Sequence, residues 1–170
     1  RNERGSHNFY ALHVRNDNST ASKALSMNAL SLARKTGSQA DVAIETLDRY
    51  DLNTVTGLLN VIEERDITEV MLGMHQRATV IDSFFGSKIE QLLRSTNKMV
   101  LMARCYIPVN TITRVVVWVP AGAQYETGFS RWVRAVSRLT RQIGCRIIFC
   151  SPAEVQPLIR GVIYAENYGI

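Results

Sequence analysis

Short, continuously apolar runs separated by helical patterns are the feature that most constrains the fold of this chain. Runs such as Glu69–Gly73, Met99–Ala103 and Arg146–Cys150 are too short for helices, and they lack the polar alternation of a strand with one solvated face. Strands that are buried on both faces have this pattern, and they occur in parallel sheets covered by helices. The sequence therefore predicts an α/β fold with an open, three-layer parallel sheet and right-handed crossovers.

The first half of the chain shows two strand-to-helix units. A strand is predicted over 9–14, and a strand over 42–47 that ends in a polar turn at 48–51. Between them, apolar residues recur at helical spacing from Ser22 to Lys35, and Gly37 is expected at the C′ position. Asn53 is a good N-cap for the next helix.

The second half continues the alternation. A helix is expected to begin near Gly86–Ser87, and a strand at 114–120 precedes a long amphipathic helix from Tyr125 to Ile143 that Gly144 ends. After the strand at 146–150, the tail beyond Pro157 shows no clear helical period. The sequence thus predicts helices up to residue 143 and leaves the tail unassigned.

Composition excludes several classes of protein. The chain is 46% hydrophobic and 21% charged, which is ordinary for a globular protein, and it contains no apolar stretch of about 20 residues that could span a bilayer. Three cysteines without a C-x-x-C pair indicate neither a disulfide framework nor a zinc site. The net charge of +5 is modest and no nucleic-acid-binding motif is present, so nucleic acid is not an expected partner.

The segment from Gly73 to Ser87 is the candidate binding site. It leaves a buried strand at Gly73 and is expected to enter a helix at Gly86, so unpaired helix amides and close backbone approach would favour a phosphate group. The Ser87 hydroxyl can donate a hydrogen bond to the same ligand. His75 lies within this loop, where it either meets the phosphate and responds to pH or is an ordinary exposed histidine.

The same residues carry a family resemblance. The spacing Gly73-x-x-Gln76-x9-Gly86-Ser87 resembles the G-x-x-G-x9-G-[ST] signature of nucleotide-binding universal stress proteins, with Gln76 in place of one glycine. The strand that ends at Val14 is similar to the second strand of that family. The resemblance implies the adenine nucleotide alpha hydrolase-like fold, with ATP or AMP as ligand and Gly73, His75, Gln76, Gly86, Ser87 and Val14 around it.

The resemblance also implies a domain division. Residues 1–107 are similar to a universal stress protein domain that lacks its first strand and the aspartate at that strand's end. Residues 108–170 are similar to the beginning of a second repeat, which could complete the open sheet of the first repeat within one chain or by exchange between two. A homodimer is the expected assembly.

Segments such as 81–86 and 125–129 narrow the resemblance to the tandem cytosolic domains of bacterial monovalent cation:proton antiporters. This resemblance implies a soluble domain on the cytoplasmic side of the inner membrane, attached to a membrane-embedded antiporter region and regulating sodium or other cation exchange. A free-standing universal stress protein, or a dimerisation domain with a degenerate pocket, stays open as an alternative.

Catalysis and metal binding are not expected. Ser87 lacks the G-x-S-x-G context of a nucleophile, and no H-E-x-x-H motif or acidic cluster indicates a metal. Four arginines recur along one face of the long helix, and this face is either simply solvated or docks on anionic lipid or an acidic partner. These are Arg131, Arg134, Arg138 and Arg141.

Overall fold

A computed structural model describes residues 8–73 and 81–168 of the chain, and only the backbone for 81–85. Strands and helices alternate along these residues, as predicted. The strands are Phe9–Arg15 (β1), Ile44–Tyr50 (β2), Glu69–Gly73 (β3), Met99–Ala103 (β4), Arg114–Trp118 (β5) and Arg146–Cys150 (β6). The helices are Thr20–Gln39 (α1), Thr54–Glu64 (α2), Ile81–Ser95 (α3), Phe129–Ile143 (α4) and Gln156–Tyr168 (α5).

Within the described part of the chain, the strands pair two by two. β1 and β2 are parallel, with Phe9 opposite Ile44 and Arg15 opposite Tyr50. β5 and β6 are also parallel, with Arg114 opposite Arg146. β3 pairs with β4. Parallel pairs joined through a helix confirm the predicted α/β class.

The chain forms two compact units. The first contains β1, α1, β2, α2 and α3, and the second contains β4 and all later elements, while β3 is divided between them after Val70. The sequence analysis expects a boundary between two repeats at residues 107 and 108. The compact units do not test that boundary, which stays a prediction.

Helix α1 packs on the face of the β1–β2 sheet that carries Ile44, and it does so through small residues. Ser26 and Gly37 are buried, whereas Leu25 and Leu32 are each 65% exposed. A β-carbon at residue 37 would lie 2.7 Å from the Ile44 side chain, so helix and sheet are too close for a larger residue there. Leu30 and Ala33 are half-buried, so the fully buried residues of this helix are small ones and not its leucines.

The expected end of α1 is wrong. The helix continues to Gln39, and Gly37 lies in its last turn rather than at C′. Since the Gly37 carbonyl accepts from the amides of both Ala40 and Val42, at 3.0 and 2.8 Å, the chain turns back tightly at this point. Glycine is required here by the close approach to the sheet and not by a left-handed backbone.

Helix α2 covers the opposite face of the same sheet. Its N-cap is Asn53, as predicted, and the Asn53 side chain accepts hydrogen bonds from the amides of Val55 and Thr56. Gly57 in the first turn permits close contact with β1, because a β-carbon there would lie 2.8 Å from Val14 Cγ1. The buried residues Val61 and Ile62 continue the apolar side of this helix, and α3 packs against it.

The second unit has a conventional apolar core. The buried residues follow β5, lie in α4, and lie just before and within α5, and they are Val119, Phe129, Val133, Val155 and Ile159. The rings of Phe129 and Trp132 meet edge to face at 5.6 Å. Gly144 ends α4 with a φ of 76°, as the sequence predicts.

Helix α5 is the element that the sequence analysis missed. It begins at Gln156, so Pro157 occupies its first turn, where the missing amide hydrogen has no partner to lose. Ile159, Val162 and Ile163 face the core. Across residues 8–73 and 81–168, none of the helices combines the length and the hydropathy needed to cross a membrane.

Candidate functional site

The predicted binding segment begins where the sequence places it. Gly73 is the last residue of β3, it is exposed, and a β-carbon added there would meet no atom within 4 Å. His75 and Gln76, the next two predicted site residues, lie outside the described residues. Gly73 belongs to the second compact unit, and Gly86 and Ser87 belong to the first.

The expectation that a helix begins at Gly86 is wrong. Helix α3 begins at Ile81, so Gly86 and Ser87 lie in its second turn. In a regular helix, amides in the second turn donate to carbonyls four residues earlier, and only the first four amides lack such partners. Both residues are exposed and a β-carbon at Gly86 would meet no atom within 4 Å. They can therefore offer a ligand an open surface and a hydroxyl, but not helix-terminal amides.

Val14, the remaining predicted site residue, has a packing role. It is half-buried in β1 and contacts the first turn of α2 at Gly57. The side chain of Asp51 reaches the same point, since a β-carbon at residue 57 would lie 2.9 Å from Asp51 Cβ. Val14 thus positions the start of α2.

The carboxyl ends of β1 and β2 carry two helix N-termini, and the chain's own side chains cap both. Ser19 Oγ accepts from the Ser22 amide at 3.1 Å, at the start of α1. Asn53 Oδ1 accepts from the Val55 amide at 2.9 Å, at the start of α2. A phosphate at either helix would have to displace these caps, because anion binding uses the same amides.

A charged network links the sheet to α1, and the sequence analysis did not find it. Asp48 Oδ1 accepts from Arg15 Nε at 2.8 Å and from Ser26 Oγ at 2.7 Å. Arg15 also donates through Nη1 to the Asp17 carbonyl and to Asn18 Oδ1, at 3.3 and 3.2 Å. In the sequence, Asp48 falls in a predicted turn and Arg15 falls just after a predicted strand, and only the parallel register, which puts His13 opposite Asp48, brings the two charges together.

The network has a definite electrostatic character. The hydrogen bond from Arg15 lowers the pKa of Asp48, and the hydrogen bond from Ser26 acts in the same direction against the effect of burial. The same contact raises the pKa of Arg15. Ser26 and Asp48 form a hydroxyl–carboxylate pair, but Ser26 is fully buried on the side of α1 that faces the sheet, so this hydroxyl cannot reach a substrate. The network fixes structure rather than performing chemistry.

Most arginines on the predicted basic face of α4 contact polar side chains of α5. Arg138 Nε donates to Glu166 Oε1 of α5 at 2.6 Å, and Arg134 Nε lies 3.9 Å from Glu166 Oε2. Arg141 donates to the side chain of Asn167. Three of the four predicted arginines therefore face α5, a helix that the sequence analysis had not assigned.

In the stretches 8–73 and 81–168, no group of three or more His, Cys, Asp or Glu side chains is arranged to hold a metal ion. Cys105, Cys145 and Cys150 are thiols that form no disulfide, with Cys105 exposed and Cys145 and Cys150 half-buried.

A protein-family match covers the chain from β1 to β4. Residues 8–104, more than half of the 170-residue chain, match the universal stress protein family. The chain belongs to the universal stress protein family. Comparisons with curated proteins and with solved structures gave no match. The predicted three-layer α/β fold of the adenine nucleotide alpha hydrolase-like type is the fold of this universal stress protein domain.

Proposed function

We propose that this universal stress protein domain is a non-catalytic regulatory module that binds a phosphate-bearing ligand, with an adenine nucleotide as first choice. The observation that carries the proposal is the glycine spacing of the segment 73–87 inside a matched universal stress protein domain. Gly73 ends a strand, and both Gly73 and Gly86 are exposed with open space where a β-carbon would be. Glycines that are not required by local packing are free to serve a ligand.

We further propose that the ligand regulates a monovalent cation:proton antiporter from the cytoplasmic side of the inner membrane. Support for this context comes from the segments 81–86 and 125–129, which resemble those of tandem antiporter domains. In this proposal the domain senses the ligand and alters transport by a membrane-embedded region of the same polypeptide. The described residues would contribute regulation and no transport pathway of their own.

Isothermal titration with ATP, ADP and AMP tests the ligand, and a pair of glycine variants tests the site. Gly86→Ala adds a methyl group to an exposed position of α3, and Gly161→Ala makes the same change in α5. Each change should stabilise its helix by up to about 1 kcal/mol, because alanine is the better helix former. Only Gly86→Ala should weaken nucleotide binding, by about tenfold or about 1.4 kcal/mol, because the methyl group prevents close approach.

The two variants separate binding from stability. Equal affinities for Gly86→Ala, Gly161→Ala and the unchanged chain would remove Gly86 from the site. Absence of heat with all three nucleotides at millimolar concentration would remove the nucleotide itself, and inorganic phosphate would then be the next ligand to titrate. Turnover of ATP by the chain that Ser87→Ala abolishes would contradict the non-catalytic assignment.

A second candidate function is an interaction domain whose pocket has degenerated, either in an antiporter or in a free-standing universal stress protein. It is favoured by the caps at α1 and α2, since Ser19 and Asn53 already occupy the amides that would hold an anion. The exposed leucines of α1, Leu25 and Leu32, add apolar surface that an association could bury. Light scattering distinguishes the candidates, since a monomer that binds nucleotide would exclude this second function.

A further inference from the structure

His13 lies on the side of the β1–β2 sheet that α1 covers. Side chains alternate across a strand, so His13 shares this side with Arg15, whereas Val14 between them contacts α2 at Gly57. The parallel register places His13 directly opposite Asp48, and neighbouring strands are only about 4.8 Å apart. The placement of His13 follows from β1, β2 and α1 alone, and all three belong to the first compact unit.

Asp48 is the carboxylate that a cation beneath α1 can reach. The acidic residues of β1, β2 and α1 are Glu45 and Asp48, and Glu45 pairs with Arg65 on the opposite side, where α2 packs. Tyr50, opposite Arg15, is the other titratable residue of β2 on the α1 side. The charged residues of α1 are all exposed cations, namely Lys23, Arg34 and Lys35. A positive charge added beneath α1 therefore depends on Asp48.

The Asp48 carboxylate already accepts from two donors, whereas one nitrogen of His13 has no partner in the described part of the chain. Asp48 Oδ1 accepts from Arg15 Nε at 2.8 Å and from Ser26 Oγ at 2.7 Å. His13 Nδ1 is buried and without a hydrogen bond among residues 8–73 and 81–168. A protonated imidazole donates from both nitrogens, so protonation makes Nδ1 a buried, charged donor whichever tautomer the neutral ring has. Such a donor is costly unless it finds an acceptor, and the carboxylate opposite it is Asp48.

We propose that His13 is a proton switch: when its imidazole is protonated, it competes with Arg15 for Asp48 and displaces Arg15 toward the loop 16–18. Arg15 is 8% exposed, so two cations beneath α1 repel each other more strongly than they would in water. Arg15 has other acceptors, since its Nη1 donates to the Asp17 carbonyl and to Asn18 Oδ1. Arg15 is therefore the cation that gives way.

The switch acts near neutral pH and next to the start of α1. Imidazole changes charge between about pH 5 and about pH 8, whereas the hydrogen bond from Arg15 lowers the pKa of Asp48, which stays ionised over that range. The loop 16–18 leads to the N-cap Ser19 of α1, and the Arg15 carbonyl accepts from the Asp51 amide that follows β2. Protonation thus acts on a residue whose side chain and backbone bind the loops that follow β1 and β2. The proposal does not involve the phosphate-bearing ligand.

Nuclear magnetic resonance of the Arg15 Nε–H proton, without nucleotide, tests the switch, since this proton is donated to Asp48. As the pH is lowered from about 7.5 to about 5.5, its signal should move upfield, and the midpoint should equal that of the His13 ring protons. Its exchange with water, corrected for the intrinsic pH dependence of exchange, should become at least about tenfold faster, which is the size of one charge-assisted hydrogen bond. Both changes are expected of a proton that loses a carboxylate acceptor.

Two variants and one internal control assign the effect to His13. His13→Gln keeps a polar side chain that cannot be protonated, and it should abolish the shift of the Arg15 signal. His7→Gln removes another imidazole and should leave that shift in place. Arg138 is the internal control, because its Nε donates to Glu166 at 2.6 Å and neither α4 nor α5 contains a histidine. The Arg138 Nε–H signal should stay constant over the same pH range.

Three results would overturn the proposal. They are an Arg15 signal that stays constant while His13 titrates, a shift that persists in His13→Gln, and a His13 ring that does not change charge over this pH range. The comparison of midpoints uses the unchanged chain, so it decides the question even if His13→Gln does not fold. Failure of the nucleotide titrations would leave the switch standing, and failure of the switch would leave the ligand proposal standing.

Discussion

The two compact units use the same strand–helix–strand plan and hold it together differently. In the first, α1 meets the sheet through Ser26 and Gly37, and an ion pair between Arg15 and Asp48 lies at the contact. In the second, the equivalent contact is an apolar cluster around Val133. Close approach of small groups and directed hydrogen bonds stabilise the α1 contact of the first unit, whereas burial of large apolar side chains stabilises the equivalent contact of the second.

This difference determines what each unit should tolerate. Apolar burial is non-directional and insensitive to pH, so the second unit should respond mainly to loss of volume. A contact between small residues tolerates no added volume, and a carboxylate in that contact makes stability depend on protonation. Both tryptophans of the chain, Trp118 and Trp132, lie in the second unit, so their fluorescence reports on that unit, whereas circular dichroism reports on both.

The largest effect is expected from Phe129→Ala in the second unit. Phe129 is buried and its ring meets Trp132 edge to face, so truncation leaves a cavity and removes an aromatic contact. A loss of about 3–5 kcal/mol in the free energy of unfolding is expected. Urea unfolding followed by tryptophan fluorescence measures it, with Tyr125→Ala as an exposed control. A fluorescence midpoint like that of the control would show that the cluster does not stabilise this unit.

The next largest effect should come from adding one methyl group to the first unit. Gly37→Ala places a β-carbon 2.7 Å from the Ile44 side chain and 2.7 Å from the Val42 carbonyl oxygen, and the backbone atom cannot move away cheaply. Overpacking of this kind costs about 1–3 kcal/mol. We expect it to outweigh the preference of helices for alanine, which is about 1 kcal/mol.

Ser38→Ala is the matched control for this variant, because the neighbouring residue is exposed in the same turn of α1. Thermal unfolding by circular dichroism should show a lower midpoint for Gly37→Ala and an unchanged or higher one for Ser38→Ala. If both variants raised the midpoint, the contact between α1 and the sheet would have to be looser than the structure gives it.

A smaller effect with a distinctive pH dependence is expected from Asp48→Asn. The pKa of Asp48 is lowered in the folded chain, chiefly by the hydrogen bond from Arg15, so this contact stabilises the fold above roughly pH 4 and is lost as the pH falls through the folded pKa. The variant should therefore be less stable than the unchanged chain near neutral pH, and the difference should disappear in acid. The Asp48 side chain is 38% exposed, so water screens the interaction and limits its size.

Thermal unfolding measured by circular dichroism from about pH 7 to about pH 3 checks this prediction. Glu90→Gln is the control, since Glu90 forms an exposed pair with Arg94 on α3 that should contribute little at any pH. A constant difference between Asp48→Asn and the unchanged chain across this range would mean that the carboxylate charge does not matter there.

The elements with strong apolar runs could be predicted from the sequence, and the contacts between them could not. The bounds of β3, β4 and β6 are as expected, because an apolar run of five residues is long enough for a buried strand and too short for a helix. The inner side of α1 could not be predicted, since the sheet beneath it selects small residues over the leucines. α5 was left unassigned because the tail beyond Pro157 shows no clear helical period, although a proline in the first turn is compatible with a helix.

The candidate site was predicted in part for a related reason. Gly73 does end a strand, because the apolar run before it is unambiguous. Gly86 was interpreted as a helix start, but glycine is a weak boundary signal and α3 begins at Ile81. The Arg15–Asp48 pair depends on strand register, which no local pattern of this sequence specifies.

The smallest effect is expected from a glycine-to-alanine change in a helix of the second unit. The same change in α1 should destabilise the first unit, so the pair compares the two units directly. Gly161 lies in the interior of α5 and Gly37 in the last turn of α1, but a β-carbon at 161 would meet no atom within 4 Å. Gly161→Ala should therefore stabilise the chain by about 0.5–1 kcal/mol through helix propensity alone. Gly144→Ala is the control, since it also has open space but a φ of 76°, and alanine should be destabilising in that left-handed conformation. Urea unfolding followed by fluorescence should move in opposite directions for the two, and a stabilising Gly37→Ala beside a stabilising Gly161→Ala would erase the distinction between the units.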